Sequence, residues 1–283
     1  MIVLGIESAT ELVGVAVADG EGLRSSVWAT GRHRHGEALM PAITHALEQA
    51  EVTLTDIEVV AVDVGPGLFT GLRVGVVTAK ALAQALGLGI IAVTSVDVLA
   101  HAAVDAGWNS EVAAVVDARR GEVFARRYQP RLWGSTAPAG LSANAPAQGP
   151  DANLLFEQSG LLALGPTTRY APAELAAALG TRSGGASVDG AAVLSPESAA
   201  PRSGPVLAVG DGARRYAQDL ARVPNVTVAG LLLASPPPAM VAVLAAQMIA
   251  AGVAMAAPEA IQPVYLRDAD ARINWVQRRG AAT

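Results

Sequence analysis

The sequence predicts an α/β protein built as two related halves, and three observations carry this. Strand-like apolar runs alternate with helix-like segments along most of the chain. A Gly-rich turn, Gly65 to Gly75 (GPGLFTGLRVG), joins a strand-like run to a helix-like one. The opening pattern then restarts about 110 positions on: an ungapped shift sets Glu7 on Asp117, Val13 on Val123 and Ala18 on Tyr128. In each copy an apolar strand ends in a carboxylate, a short polar turn follows, and a second strand returns. Two such halves predict a cleft between them.

The elements follow in order. Val3 to Ile6 is an apolar run ending at Glu7-Ser8, and Val13, Val15 and Val17 alternate with small residues. This reads as a hairpin, with Leu23 to Trp28 as a third strand. Glu37 to Glu51 reads as a helix whose stripe is Leu39, Ile43, Leu47 and Ala50, with Pro41 in its first turn or at a kink. Strand Val59 to Val64, the GPG turn, a helix Thr70 to Leu86, strand Ile90 to Thr94 and a helix from Ser95 complete the first half. The second half restarts near Asp117. Composition turns to Ala, Gly, Pro, Ser and Asn around 133–160 and again around 180–205, with a short helix Pro172 to Leu179 between. Such stretches bury too little to offset ordering entropy and read as loop insertions. Strand Val206 to Val209, a helix opened by Gly210-Asp211-Gly212, strand Val226 to Ala229 and an Ala-rich helix over Ala239 to Ala257 follow. The reading divides the chain into lobes 1–104 and 105–283.

Composition narrows the function. The chain has 283 residues, no cysteine and a formal net charge of −5. Disulfides and thiolate metal sites are excluded, and a reducing cytoplasm fits. The histidines are His33, His35, His45 and His101, without HExxH-type spacing, so no metal site is expected. The acidic balance argues against a stand-alone nucleic-acid binder. Arg32 to His35, Arg119-Arg120 and Arg126-Arg127 read as solvated basic faces. No signal peptide is read at the N-terminus. Ala239 to Ala257 reads as a soluble core helix, since Val241, Leu244, Ala245, Met248 and Ile249 share one face.

Two regions could carry chemistry. In the Gly-rich turn, Gly65 and Gly67 allow close backbone approach, Pro66 stiffens the turn, and Thr70 and Gly71 open the helix, with Thr70 able to cap it. Such a turn can cradle an anion, or it can be a βα turn without a ligand. Glu7 and Asp117 at strand ends, with Gly210, Asp211 and Gly212, read either as a vestigial nucleotide cleft or as hairpin ends satisfied locally. In the helix after the turn, Gly71, Gly75, Ala79 and Ala83 recur every four residues. That row would let another helix approach closely, or pack inside the lobe.

With these motifs placed, the chain resembles the TsaB family of tRNA threonylcarbamoyladenosine biosynthesis. The resemblance rests on LGIESAT at the start, GPGLFTGLRVG, Asp117-Ala118-Arg119-Arg120-Gly121-Glu122-Val123, GDGA at Gly210 to Ala213 and PVYLR near the end. It implies the actin-like ATPase/sugar kinase fold of two duplicated α/β lobes. It implies a non-catalytic partner that forms a heterodimer with the paralogue TsaD and works with the ATPase TsaE, TsaC supplying the adenylate that TsaD transfers to tRNA. The chain would meet tRNA only through that complex, reside in the cytoplasm, avoid membranes and self-associate when alone. TsaD carries two metal-binding histidines four residues apart, and the aligned positions here are Ser95 and Leu99. No catalytic residue, metal or cofactor is carried over. The resemblance places the partner surface on the two helices of the first lobe. Leu39, Ile43, Leu47, Arg73, Val74, Gly75, Thr78, Ala79 and Leu82 are its expected contacts. The rival expectation is a stand-alone ATP-binding enzyme of the same fold. No Ser-His-Asp spacing supports a peptidase.

Overall fold

The computed structural model describes residues 1–30, 35–130, 161–180 and 204–266. The two insertions, but for their edges, lie outside the described residues, as do Arg32, His33, Arg34 and Arg267.

The first lobe is built on β1 (Val3–Glu7), β2 (Leu12–Asp19), β3 (Gly22–Thr30), β4 (Val59–Asp63) and β5 (Ile90–Val93). Its sheet runs β3-β2-β1-β4-β5. The hairpin pairs are antiparallel, whereas β1–β4 and β4–β5 are parallel. Crossover helices supply those parallel links. They are α1 (His35–Gln49) and α2 (Phe69–Leu86). Pro41 lies inside α1 beyond its first turn, on the exposed side.

The second lobe repeats the plan with β6 (Glu111–Arg119), β7 (Glu122–Pro130), β8 (Leu161–Ala163), β9 (Thr168–Tyr170), β10 (Val206–Val209) and β11 (Val226–Val228). Its order, β11-β10-β6-β7-β8, is the first sheet's order with β6 in the place of β1 and β10 in the place of β4. The parallel and antiparallel pairings match as well. The duplication read from the shift of Glu7 onto Asp117 is therefore a duplication of topology. The chain has the two-lobed α/β fold of the actin-like ATPase and sugar kinase class.

Helices cover both faces of each sheet. Here α3 is Ser95–Asp105, α4 Pro172–Gly180, α5 Asp211–Arg215, α6 Ala217–Leu220 and α7 Pro238–Ala250. α1 and α2 bury Leu39, Ile43, Leu47, Val76, Ala79 and Leu82 against Ile6, Val15, Val60 and Val62. The opposite face of the same sheet is covered by α7, through Val241, Ala242, Ala245 and Met248. In the second lobe α3 takes that place, with Val96, Leu99 and Ala100 against Val112, Val116 and Tyr128. α4, α5 and α6 cover the remaining face. Each fully buried aliphatic side chain contributes about 1.5–3 kcal/mol.

Two readings are corrected. The division at residue 104 fails, because the chain returns from the second lobe to the first. α7 packs on β1 and β2, Ala256 bridges Ile90, and Val264 N donates to Val64 O at 2.7 Å. The Ala-rich helix is also shorter than expected and stops at Ala250, with Gly252 at φ 86 shortly beyond. No helix among the described residues is long and apolar enough to cross a membrane.

Candidate functional site

The carboxylates singled out in the sequence stand at the inner ends of the central strands. Glu7 closes β1, Asp117 lies near the end of β6, and Asp211 opens α5. A fourth, Asp63 at the end of β4, escaped sequence reading. Its signal was its position at the end of the apolar run, one residue short of the GPG turn, matching Glu7 at the end of the neighbouring strand.

All of these groups are drawn into local hydrogen bonding. Glu7 Oε1 accepts from Ala9 N at 2.8 Å. Asp63 Oδ1 accepts from Gly65 N at 2.7 Å and from Ser95 Oγ at 2.9 Å. Asp211 Oδ1 accepts from Asp117 N at 2.9 Å. Asp117 accepts from Arg119 N and pairs with the Arg119 and Arg215 guanidinium groups, each at 3.3 Å. Arg119 reaches on to Glu11 at 3.2 Å, so the two hairpin turns meet across the lobes. Burial, with Asp63 beside it, raises the Glu7 carboxyl well above the usual range. Burial likewise raises Asp63, and it pushes Asp211 up to about 6. Among the described residues no group of three or more His, Cys, Asp or Glu side chains is arranged to hold a metal ion.

The Gly-rich turn is used for close packing. The Gly65–Pro66 peptide is cis, and Gly65 sits at φ 106. Gly65 N is taken by Asp63, and Leu68 N donates to Ala9 O at 2.6 Å. A Cβ on Gly67 would lie 2.1 Å from Ala9 O, on Gly71 2.1 Å from Ser8 O, and on Gly75 2.2 Å from Ser8 Oγ. These glycines let α2 sit directly on the β1–β2 turn. Thr70 does not cap the helix: Leu68 holds the N-cap position and Thr70 is exposed within the first turn.

The small-residue row is corrected in the same way. Gly71, Gly75, Ala79 and Ala83 face the lobe's own interior, because the β1–β2 turn and sheet occupy the space they leave. Leu39, Ile43, Leu47 and Leu82 are likewise core residues. Of the expected contacts, only Arg73, Val74 and Thr78 reach the surface. The outward side of the helix pair instead presents Met40 (48% exposed) from α1 and Phe69 (41%) and Val77 (64%) from α2. Phe69 stacks against Tyr265 with ring centroids 5.0 Å apart, and the Arg73 guanidinium lies 3.8 Å from the Phe69 ring centre. Arg73 Nε also donates to Tyr265 Oη at 3.1 Å. GPGLFTGLRVG and PVYLR, read as separate motifs, meet here. Lys80 closes the same junction by donating to Ile261 O at 3.0 Å.

The positions aligned with a histidine pair are structural. Ser95 donates to Asp63, and Leu99 is fully buried among the apolar residues of α3 and the second sheet. His101 is buried, which depresses its pKa to about 4. The basic pair Arg126-Arg127 is not a solvated face. Arg126 is buried beside Asp97 at 3.5 Å, Arg127 pairs with Glu111 at 2.6 Å, and Tyr128 donates to Asp97.

Comparison with known proteins agrees with this architecture. The profile of the family described as "TsaD: tRNA N6-adenosine threonylcarbamoyltransferase" matches residues 29–139. The tRNA threonylcarbamoyladenosine biosynthesis protein TsaB of Escherichia coli is 33% identical over 129 residues, 46% of this chain and 55% of that protein. TsaB of Bacillus subtilis is 31% identical over 129 residues, 46% of this chain and 56% of that protein. The matches thus span about half the length of these curated relatives. A crystal structure from Pseudomonas aeruginosa, described as an uncharacterized protein with similarity to peptidase YEAZ, shares the fold with a TM-score of 0.67. It is 23% identical and covers 94% of this chain and 99% of that one. Within those spans the chain is similar to the TsaB proteins.

Proposed function

We propose that this chain is a non-catalytic partner in tRNA threonylcarbamoyladenosine formation, docking a TsaD-type transferase through the outward face of α1 and α2. The observation that carries the reading is the fate of Ser95 and Leu99. Where the resemblance would put two metal ligands, one side chain is a hydroxyl held by Asp63 and the other is an aliphatic core residue. Neither can serve as a transition-metal ligand in place of histidine. The strand-end carboxylates, the other candidates for chemistry, are engaged by backbone amides and arginines.

The docking face is supported by what the helices leave uncovered. Val77, Met40 and Phe69 are large apolar groups exposed on the paired helices, whose half-buried Ala38, Ala42 and Val74 pack against the lobe's core. Apolar groups of this kind, flanked by an arginine on an aromatic ring, suit the centre of a protein interface. A second copy of the chain could occupy the same face when the transferase is absent. TsaE would join the assembled pair, and tRNA would be met through the complex in the cytoplasm.

The test uses exposed positions, since charging Ala79 or Leu82 would disrupt the lobe itself. Val77→Glu and Met40→Glu leave the core intact. They are expected to abolish co-purification with the TsaD-type protein of the same organism and the tRNA modification that depends on it. Undiminished pull-down by a folded double variant would overturn the interface. Tight ATP binding, or transfer activity by the isolated chain, would overturn the non-catalytic assignment in favour of an enzyme of the same fold.

A further inference from the structure

We infer that Glu7 and Asp63 share a single proton, and that this proton locks the β1–β2 turn to the Gly-rich turn on which α2 is seated. Both side chains are completely buried, side by side at the ends of paired strands where Ile6 lies opposite Val62, and each bears on the other's charge. The outer oxygen of each is already used: Glu7 Oε1 accepts from Ala9 N, and Asp63 Oδ1 accepts from Gly65 N and Ser95 Oγ. The remaining oxygens, Glu7 Oε2 and Asp63 Oδ2, are buried and receive no N–H or hydroxyl. A carboxylate oxygen can only accept. Two such acceptors facing each other away from water need a proton between them.

The surroundings favour the singly charged pair. Asp211 acts on Glu7 from the second lobe, and Asp97 acts on Asp63 from α3. Both carry like charge and raise the cost of a second negative charge on the pair. The other neighbours, Ser95 Oγ and the amides of Ala9 and Gly65, already donate to the outer oxygens and stabilise the one charge that remains.

The pair fixes more than two strand ends. Ala9 and Gly65, the residues whose amides it holds, are themselves cross-linked into the seat of α2. Ala9 O accepts from Leu68 N at 2.6 Å, and Gly65 O accepts from Ser95 N at 2.9 Å. Thr10 O, one residue on, lies 2.8 Å from His35 Nε2 at the start of α1. Loss of the proton would push β1 and β4 apart at the point where both helices of the outward face begin. Glu7 and Asp63 are thus positioning residues for that face, and their state depends on pH.

Amide substitutions test this because each atom's role is assigned. In Glu7→Gln, Oε1 still accepts from Ala9 N while Nε2 donates to Asp63 Oδ2, a permanent substitute for the proton. Asp63→Asn does the same in the other direction. The double variant points two N–H donors at each other. Each single variant is therefore expected to fold, and to flatten the fall in Tm expected of the native chain as pH rises above the ordinary carboxylate pKa of about 4. The double variant is expected to melt below either single variant, by roughly 5 °C or more. Simple repulsion between two buried charges gives the opposite order, with the uncharged double variant the most stable, and that result would overturn the proposal. So would a native pH slope retained in both single variants. If a variant fails to fold, the infrared C=O stretch of a protonated carboxyl in the native chain at neutral pH decides the matter. Its presence is expected, and its absence would refute the shared proton.

Discussion

Gly71→Ala separates the two readings of the small-residue row in α2. If the row were an outward groove for a partner helix, alanine at Gly71 would stabilise the free chain. Replacing glycine in a helix interior gains about 1 kcal/mol in propensity. The structure predicts the reverse. The new Cβ would stand 2.1 Å from the backbone oxygen of Ser8, where ordinary contact begins near 3.4 Å. The turn carrying Ser8 cannot easily retreat, because Glu7 holds Ala9 N and Leu68 N holds Ala9 O. Moving α2 outward instead breaks the bond from Ser8 Oγ to Gly71 O at 2.9 Å. Overpacking costs about 1–3 kcal/mol and the lost buried hydrogen bond about 1 kcal/mol more. After the propensity gain, the net loss is about 2 kcal/mol, or roughly 4–8 °C in Tm for a chain of this size. Gly36, in the first turn of α1, is the control. A Cβ there meets nothing within 4 Å, so Gly36→Ala should be neutral or gain a few tenths of a kcal/mol. Urea unfolding of the two variants reads both effects. A Gly71→Ala chain as stable as the native one would refute the close seating of α2 on the hairpin turn.

Other perturbations follow from the same geometry. Arg126→Ala takes the cation from buried Asp97, leaving it the Tyr128 hydroxyl, and should cost about 3–5 kcal/mol by denaturant unfolding, whereas Arg126→Met combined with Asp97→Asn should cost less than the single change. His101 is neutral in the folded chain, with a pKa near 4, and near 6.5 when unfolded. The unfolded state therefore binds the extra proton first, and stability falls as pH drops from about 6.5 towards 4. His101→Gln should remove up to about 3 kcal/mol of that dependence, read from Tm against pH. Glu11→Gln breaks the inter-lobe pair with Arg119 at an exposed site. It should change stability by less than about 1 kcal/mol, with the difference vanishing in high salt.

Much of this architecture was legible because strands and helices carry separate periodicities. Val13, Val15 and Val17 announced β2, and the run before the GPG turn announced β4. The shift that laid Glu7 on Asp117 revealed the duplicated topology before any pairing was known. What stayed hidden was direction and return. A row such as Gly71, Gly75, Ala79 and Ala83 marks a place where something approaches closely, and it carries no sign of what approaches. Only the tertiary fold brings Ser8 over it. The stripe of Leu39, Ile43 and Leu47 was read as partner-facing for the same reason, although an apolar stripe facing its own sheet has the same sequence. The return of α7 to the first lobe could not be read from order along the chain. The Glu7–Asp63 pair needed the register of β1 against β4, and the Phe69–Tyr265 stack joins residues nearly two hundred positions apart.

The fate of the cleft groups connects these details to function. A phosphate cradle needs backbone amides that point into open space and a local charge that tolerates an anion. Here Gly65 N is turned onto Asp63, Leu68 N onto Ala9 O and Asp117 N onto Asp211. A polyphosphate would have to displace these bonds and then lie among Glu7, Asp63, Asp211 and Asp117. The arginines at the cleft, Arg119 and Arg215, already offset Asp117. Each group that would serve a nucleotide in an open cleft therefore works here to brace one strand end or turn against another. A cleft braced in this way fits the non-catalytic reading proposed above. It also gives α1 and α2 a fixed platform, and the proposed docking face of a few exposed apolar side chains would depend on such rigidity because ordering it on binding then costs little.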